Sequence, residues 1–168
     1  MAEADETRLR RLLKKFRSGM LVTRNTRGEM RARPMTIAKM EDDGRLYFTT
    51  SIESGKVAEI VQSEQVAVSF QSRSVYVSLT GHARVVEDRR KIDEAWNETM
   101  RVWFPKGKDD PTLCLLEIDE TYAEYWTLQG TRRVKYLVEA AKAYVKGRRP
   151  GAIPELHGEV HLHAGERH

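Results

Sequence analysis

The chain has 168 residues, enough for one domain with a sizeable core, and its 29 basic and 25 acidic residues nearly cancel to a net +4. Mixed charge of this kind reads as a solvated surface rather than the one-sided basic field of a nucleic-acid binder. No apolar run approaches the roughly 18 to 20 residues of a membrane span, the opening Met-Ala-Glu-Ala-Asp-Glu lacks the basic and apolar regions of a signal peptide, and one cysteine excludes an internal disulfide, so a cytoplasmic protein away from membranes is expected.

Residues 5–17 carry Leu9, Leu12, Leu13 and Phe16 at helical spacing, with Gly19 where the helix should end. The other face holds Arg8, Arg10, Arg11, Lys14, Lys15 and Arg17, a local basic run without interleaved aromatics, which reads as a solvated face rather than a nucleic-acid or lipid contact. Residues 20–25 and 30–40 read as strands joined at Arg27-Gly28, and the second leads through Asp43-Gly44 into a third, making a meander. Pro34 cannot donate a ladder hydrogen bond, so its strand must be an edge or be interrupted there, leaving backbone that a ligand could use.

The most informative stretch is 45–60. Leu46, Tyr47 and Phe48 are strand residues, while Val57, Ala58, Ile60 and Val61 recur at helical spacing, so 49–56 is expected to be a loop between strand and helix. A helix start leaves backbone N–H groups unpaired and carries the positive end of the helix dipole. Here it lies beside the hydroxyls of Thr49, Thr50, Ser51 and Ser54 and the ammonium of Lys56, a set that can hold a phosphate. The plainer alternative is that Ser54 caps the helix and Lys56 is a solvated first-turn lysine.

Further on, 65–71 and 74–87 read as strands, the second with Val75, Val77, Leu79 and Val85 at period 2 and Gly81 suggesting a bulge or barrel corner. Residues 88–104 place Ile92, Ala95, Trp96, Met100 and Trp103 on one helical stripe starting at Asp88, and 105–111 break it. Residues 112–118 and 122–128 are two more strands, with Cys114 a packed thiol among leucines. Strands of this number with hairpin turns point to a closed barrel or sandwich. A last helix, 131–146, has Val134, Leu137, Val138, Ala141 and Val145 on one stripe, and the tail holds one strand-like piece, 159–162. We therefore expect one domain over 1–150 and a tail over 151–168. The tail histidines His157, His161 and His163 alternate but bring no carboxylate or fourth ligand by spacing, and His82 stands alone, so no metal site is expected. With no nucleophile elbow or nucleotide-binding glycine loop, catalysis here would rely on a cofactor.

With these segments placed, the chain resembles the pyridoxamine 5'-phosphate oxidase-like split-barrel flavoproteins, in particular their bacterial general stress protein branch. The resemblance is carried by Arg33-Pro-Met35, Phe48-Thr-Thr-Ser51 with Ser54 and Lys56, Tyr76-Val-Ser-Leu-Thr-Gly81, Trp103-Phe-Pro-Lys-Gly-Lys-Asp-Asp-Pro111 and Glu124-Tyr-Trp126, in family order over residues 6–162. It implies a mainly β (α+β) fold, a six-stranded antiparallel split β-barrel of the FMN-binding type with flanking helices, assembled as a homodimer with FMN at the subunit interface. On the matching positions Arg33, Pro34, Met35 and Thr36 would run beside the isoalloxazine, while Thr49, Thr50, Ser51, Ser54 and Lys56 would hold the phosphate. Tyr76 and Trp126 would approach from the partner subunit. Trp103 is assigned to the core by its stripe, with closing the site as its alternative role.

Beyond Trp126 the chain reads Thr-Leu-Gln-Gly-Thr-Arg-Arg-Val, without the Arg-Leu-His-Asp-Arg segment of the true oxidases, so vitamin B6 oxidation is not expected. Gly55 stands where those enzymes carry a basic residue, which implies looser flavin binding. The reading is an FMN-binding, stress-related oxidoreductase with an unidentified small-molecule electron acceptor; the alternative is a non-catalytic module that binds or senses flavin. The dimer is also suggested by Trp96, Trp103, Tyr122, Tyr125 and Trp126, more large aromatics than a small barrel easily encloses.

Overall fold

The computed structural model describes residues 2–127, 131–147 and 157–162. Seven strands form one antiparallel sheet: β1 (Ser18–Arg24), β2 (Met30–Met40), β3 (Leu46–Ser51), β4 (Gln65–Gln71), β5 (Val75–Val86), β6 (Leu113–Thr127) and β7 (His157–His161). Their order is β3-β2-β1-β4-β5-β6-β7, and β3 also pairs with the first half of β6, from Leu46 opposite Ile118 to Ser51 opposite Leu113. That extra pairing closes the first six strands into the expected barrel and leaves β7 added alongside the second half of β6. Four helices accompany it: α1 (Ala2–Leu13), α2 (Gly55–Gln62), α3 (Arg89–Ala95) and α4 (Thr131–Val145). No described helix is long and apolar enough to cross a membrane.

Period-2 alternation fills the barrel. Val66, Val68 and Phe70 of β4 and Val75, Val77 and Leu79 of β5 point inward, where they meet Leu21, Leu46, Phe48 and Leu116. Burying each such side chain contributes roughly 1.5 to 3 kcal/mol. Leu9, Leu12 and Leu13 of α1 join this core, and Arg10 reaches from the same helix to the buried carboxylate of Glu120. The two hairpin turns need a left-handed residue, which Gly28 (φ 81°) and Gly44 (φ 99°) supply.

A smaller core lies outside the barrel, where Ile92 and Ala95 of α3 cover Tyr47, Leu113 and Leu115. It is clasped by Glu117, whose buried carboxylate accepts from Tyr47 Oη at 2.7 Å, Arg84 Nε at 2.6 Å and Lys91 Nζ at 3.1 Å. Burial alone would push that carboxyl up, but the three donors together outweigh it and hold it below the usual range.

The structure departs from the sequence reading in several places. The first helix ends at Leu13, and Gly19 lies within β1 with its Cα facing the Phe70 ring, where an added Cβ would sit 2.6 Å from a ring carbon. The stripe over 88–104 is not one helix. Asp88 caps α3 as expected, accepting from Arg90 and Lys91 amides, but Trp96 is extended (ψ 137°) and Asn97 then caps a separate 3-10 turn, Glu98–Val102. The periodicity breaks there, and Trp103 ends 77% exposed instead of in the core. The two strands expected over 112–128 are one continuous strand, because the polar residues between them pair on across a bulge at Gly81. Tyr125, grouped with the surplus aromatics, is fully buried in the barrel with its hydroxyl on Asp5.

Candidate functional site

β3 delivers its residues to two faces by strict alternation. Leu46, Phe48 and Thr50 point inward; Tyr47, Thr49 and Ser51 point outward. The chain then turns at Ile52-Glu53 and enters α2, so Thr50, Ser54 and Lys56 meet. Lys56 Nζ donates to Thr50 Oγ1 at 3.0 Å, and the Thr50 and Ser54 hydroxyls lie 3.2 Å apart. Ser54 occupies the N-cap position of α2, yet its side chain makes no capping hydrogen bond, and the first turn holds no acidic residue. The Gly55 and Lys56 amides have no described backbone acceptor, and a Cβ placed on Gly55 would meet nothing within 4 Å. The helix start is therefore uncapped by a side chain and unneutralised, with open space beside Gly55.

β2 adds Arg33 from the neighbouring strand. Up to Thr36 this strand pairs with β1 alone, in unbroken register through Pro34, so of the two expected forms β2 is a free edge there; pairing with β3 starts at Ile37, and the register shift falls between Ile37 and Lys39. Arg33 turns inward, its Nη1 donating to Thr23 Oγ1 and its Nη2 to Glu59 Oε2, both at 2.8 Å. Pro34 and Thr36 face outward and are exposed, while Met35 is buried.

Glu59, Thr23 and Arg31 were not among the expected site residues. Glu59 is buried, accepts from the Thr23 hydroxyl at 2.5 Å and pairs with Arg31 at 3.6 Å. The Thr23 hydrogen bond, with Arg33 behind it, holds its carboxyl below the usual range. The available signal was a carboxylate three residues after Lys56 on a mostly apolar helix stripe, next to Val57 and Ile60.

Lys56 has a different environment. It is half-buried, and no carboxylate among the described residues lies within 4.0 Å of its Nζ. Burial and the nearby Arg33 guanidinium hold its ammonium below the ordinary lysine range. Three cations, Arg31, Arg33 and Lys56, thus gather near a single carboxylate, Glu59, which is paired with the two arginines and not with the lysine. An oxyanion beside Lys56 would relieve both the desolvation and the repulsion. Cys114 lies opposite Thr50, its thiol on the Thr50 carbonyl at 3.5 Å, and burial pushes it up to about 11, a packed thiol as the sequence reading has it.

The remaining expected residues lie elsewhere. Thr49 and Ser51 occupy the outward face of β3, and Ser51 Oγ accepts from the Glu53 amide. Tyr76 and Trp126 face each other across β5 and β6, exposed at 42% and 39%, and no described hydrogen bond or ring contact joins them to the Arg33, Thr50 and Lys56 group.

Comparison with known proteins identifies the family. Residues 4–151 match the model of the family described as pyridoxamine 5'-phosphate oxidase like. General stress protein 26 of Bacillus subtilis is 31% identical over 98 residues, covering 55% of this chain and 68% of that one. The structure of a general stress protein 26 from Jannaschia sp. CCS1 superposes with a TM-score of 0.72 at 26% identity, covering 96% of this chain and 99% of the other. The general stress FMN/FAD-binding protein of Xanthomonas citri matches at 30% identity and a TM-score of 0.66, over 76% of this chain and 92% of that one. The chain belongs to the pyridoxamine 5'-phosphate oxidase-like family, in its general stress protein branch.

Proposed function

We propose that the protein binds FMN as a homodimer and works as a stress-related oxidoreductase on a small-molecule electron acceptor. The observation that carries this reading is Lys56: a half-buried ammonium with no described carboxylate partner, beside the Thr50 and Ser54 hydroxyls and the open amides of α2. That donor set fits a phosphate monoester. The FMN/FAD-binding relative from Xanthomonas citri adds the flavin to the phosphate.

When bound, FMN supplies one- and two-electron transfer. The chain's own residues would bind and orient it. Lys56, Thr50, Ser54 and the Gly55 amide would hold the phosphate. Arg33, braced by Glu59 and Thr23, would keep positive charge at the same end of the barrel. Pro34, Met35 and Thr36, on the part of β2 with one free edge, would offer backbone to the ring system, with Thr49 and Ser51 next to them on β3. Tyr76 and Trp126, both large and partly exposed, suit a partner's ring in a dimer.

The test is the purified protein's visible spectrum, flavin stoichiometry and sedimentation. A yellow dimer with one FMN per chain is expected. Protein that stays colourless after incubation with FMN overturns the reading, and a 19.4 kDa species that still holds FMN at micromolar concentration overturns its dimer. Anaerobic reduction by NADH or NADPH, followed by turnover of an acceptor, separates an oxidoreductase from a module that only binds flavin.

A further inference from the structure

β7 presents His157, Glu159 and His161 on its outward face, with Gly158 and Val160 inward. Its register on β6 sets Glu159 directly opposite Glu124, His157 opposite Trp126, and His161 opposite Tyr122. Two carboxylates directly opposite each other across strands repel. Among the described residues no lysine or arginine lies within 4.0 Å of either carboxylate; Glu124 accepts from the Tyr122 hydroxyl, which Glu159 shares, and His157 Nε2 stands 3.8 Å from Glu159. His157 is held by its ring, stacked on Trp126 at 5.1 Å and 14°. Its Nε2 is shut off from solvent and has no hydrogen-bond partner. An imidazole nitrogen without a hydrogen-bond partner and a carboxylate pair served by one hydroxyl and by no lysine or arginine thus meet at one place, and a single cation would satisfy both.

We infer that Glu124, His157 and Glu159 form a binding site for a divalent transition metal of the zinc class. The ligand atoms of the three side chains lie within 4.8 Å of one another. In a tetrahedral zinc site, with bonds near 2.0 to 2.2 Å, ligand atoms lie roughly 3.3 Å apart, a change that small rotations of the two glutamates can supply. One imidazole with two carboxylates is a mixed nitrogen and oxygen set, which selects zinc-like ions over magnesium, and water would complete the coordination. One tail histidine, His157, becomes a ligand with Glu159 because β7 docks on β6, which brings the Glu124 carboxylate from 33 residues upstream. The argument for the site does not use the flavin, although the site adjoins Trp126, which the proposed dimer sets near a partner's ring. Because His157 lies flat on Trp126, occupancy would also fix that indole.

The experiment uses the full chain stripped with a chelator and titrated with zinc chloride, by calorimetry and by tryptophan fluorescence. One zinc per chain is expected, with a fluorescence change at the same midpoint. His157→Phe keeps a ring against Trp126 but removes the ligand, and it should weaken binding by at least about tenfold; Glu124→Gln and Glu159→Gln should each do likewise. Far-UV circular dichroism checks that each variant is folded. Absence of binding up to sub-millimolar zinc overturns the site. So does zinc binding that His157→Phe leaves intact, or magnesium binding as tight as zinc, since either means that other residues or a bare carboxylate pair hold the ion.

Discussion

Lys56→Ala and Lys56→Met separate a phosphate ligand from a structural lysine, because the two roles predict opposite balances. In the fold, Lys56 makes one hydrogen bond, to Thr50 at 3.0 Å, while its ammonium bears the cost of burial and the repulsion of Arg33. Losing a net hydrogen bond costs about 1 kcal/mol, and relief of the charge offsets it, so the ligand-free protein should change by less than about 1 kcal/mol. Toward FMN the account differs. A charge-assisted contact contributes roughly 1.5 to 3 kcal/mol, so either variant should weaken FMN binding by about 10- to 150-fold. Lys56→Met keeps most of the aliphatic stem, which isolates the charge. The assay is a fluorescence-quenching titration of wild type and both variants with FMN and with riboflavin, which lacks the phosphate, alongside thermal melts without flavin. Unchanged FMN affinity, or an equal loss for riboflavin, would refute the assignment. A large fall in Tm of the flavin-free protein would show Lys56 to be structural.

Two other perturbations test the barrel itself. Gly81→Ala should cost about 1 to 3 kcal/mol, a fall in Tm of roughly 2 to 12 °C, because the new Cβ would lie 2.1 Å from the Asp119 carbonyl oxygen at the bulge between β5 and β6. An unchanged melt would mean that the bulge yields freely. Acid should unfold the protein through Glu59 and Glu117, whose folded carboxyls lie below the ordinary value of 4.5. Their contribution is therefore complete above that value and is lost as pH falls through the lower folded values, so Tm should be flat near neutrality and drop below about pH 4.5. Glu59→Gln should flatten that drop; a variant with the wild-type acid profile would remove Glu59 from the explanation.

Much of this molecule was legible from local pattern. Period-2 runs mark the strands, Gly28 and Gly44 mark the hairpins, and the strand-to-helix change at 49–56 locates Thr50, Ser54 and Lys56, whose side chains meet. What was hidden depends on pairing across the sheet. Nothing local says that Arg33 faces Thr23 and Glu59, because inward and outward on β2 is decided by its register on β1. Asn97 can cap a new turn or continue a helix, and only the docking of α3 on Tyr47 and Leu115 decides it. Thr49 and Thr50 are equivalent in the sequence, yet alternation sends one outward and the other to Lys56.

The long β6 strand leaves a hazard that β7 removes. β3 accompanies it only as far as Ile118, so beyond that point one side of its backbone would offer unpaired N–H and C=O groups next to Tyr122 and Trp126. A bare strand edge flanked by aromatics is a template for strand addition by another copy of the chain. β7 covers Tyr122 to Trp126 and substitutes its own short edge of five residues, studded with histidine and glutamate. The cover begins 30 residues after β6 ends, so during synthesis the barrel can close before its edge is sealed. A chain cut ahead of His157 should keep its barrel and lose its solubility, self-associating through β6.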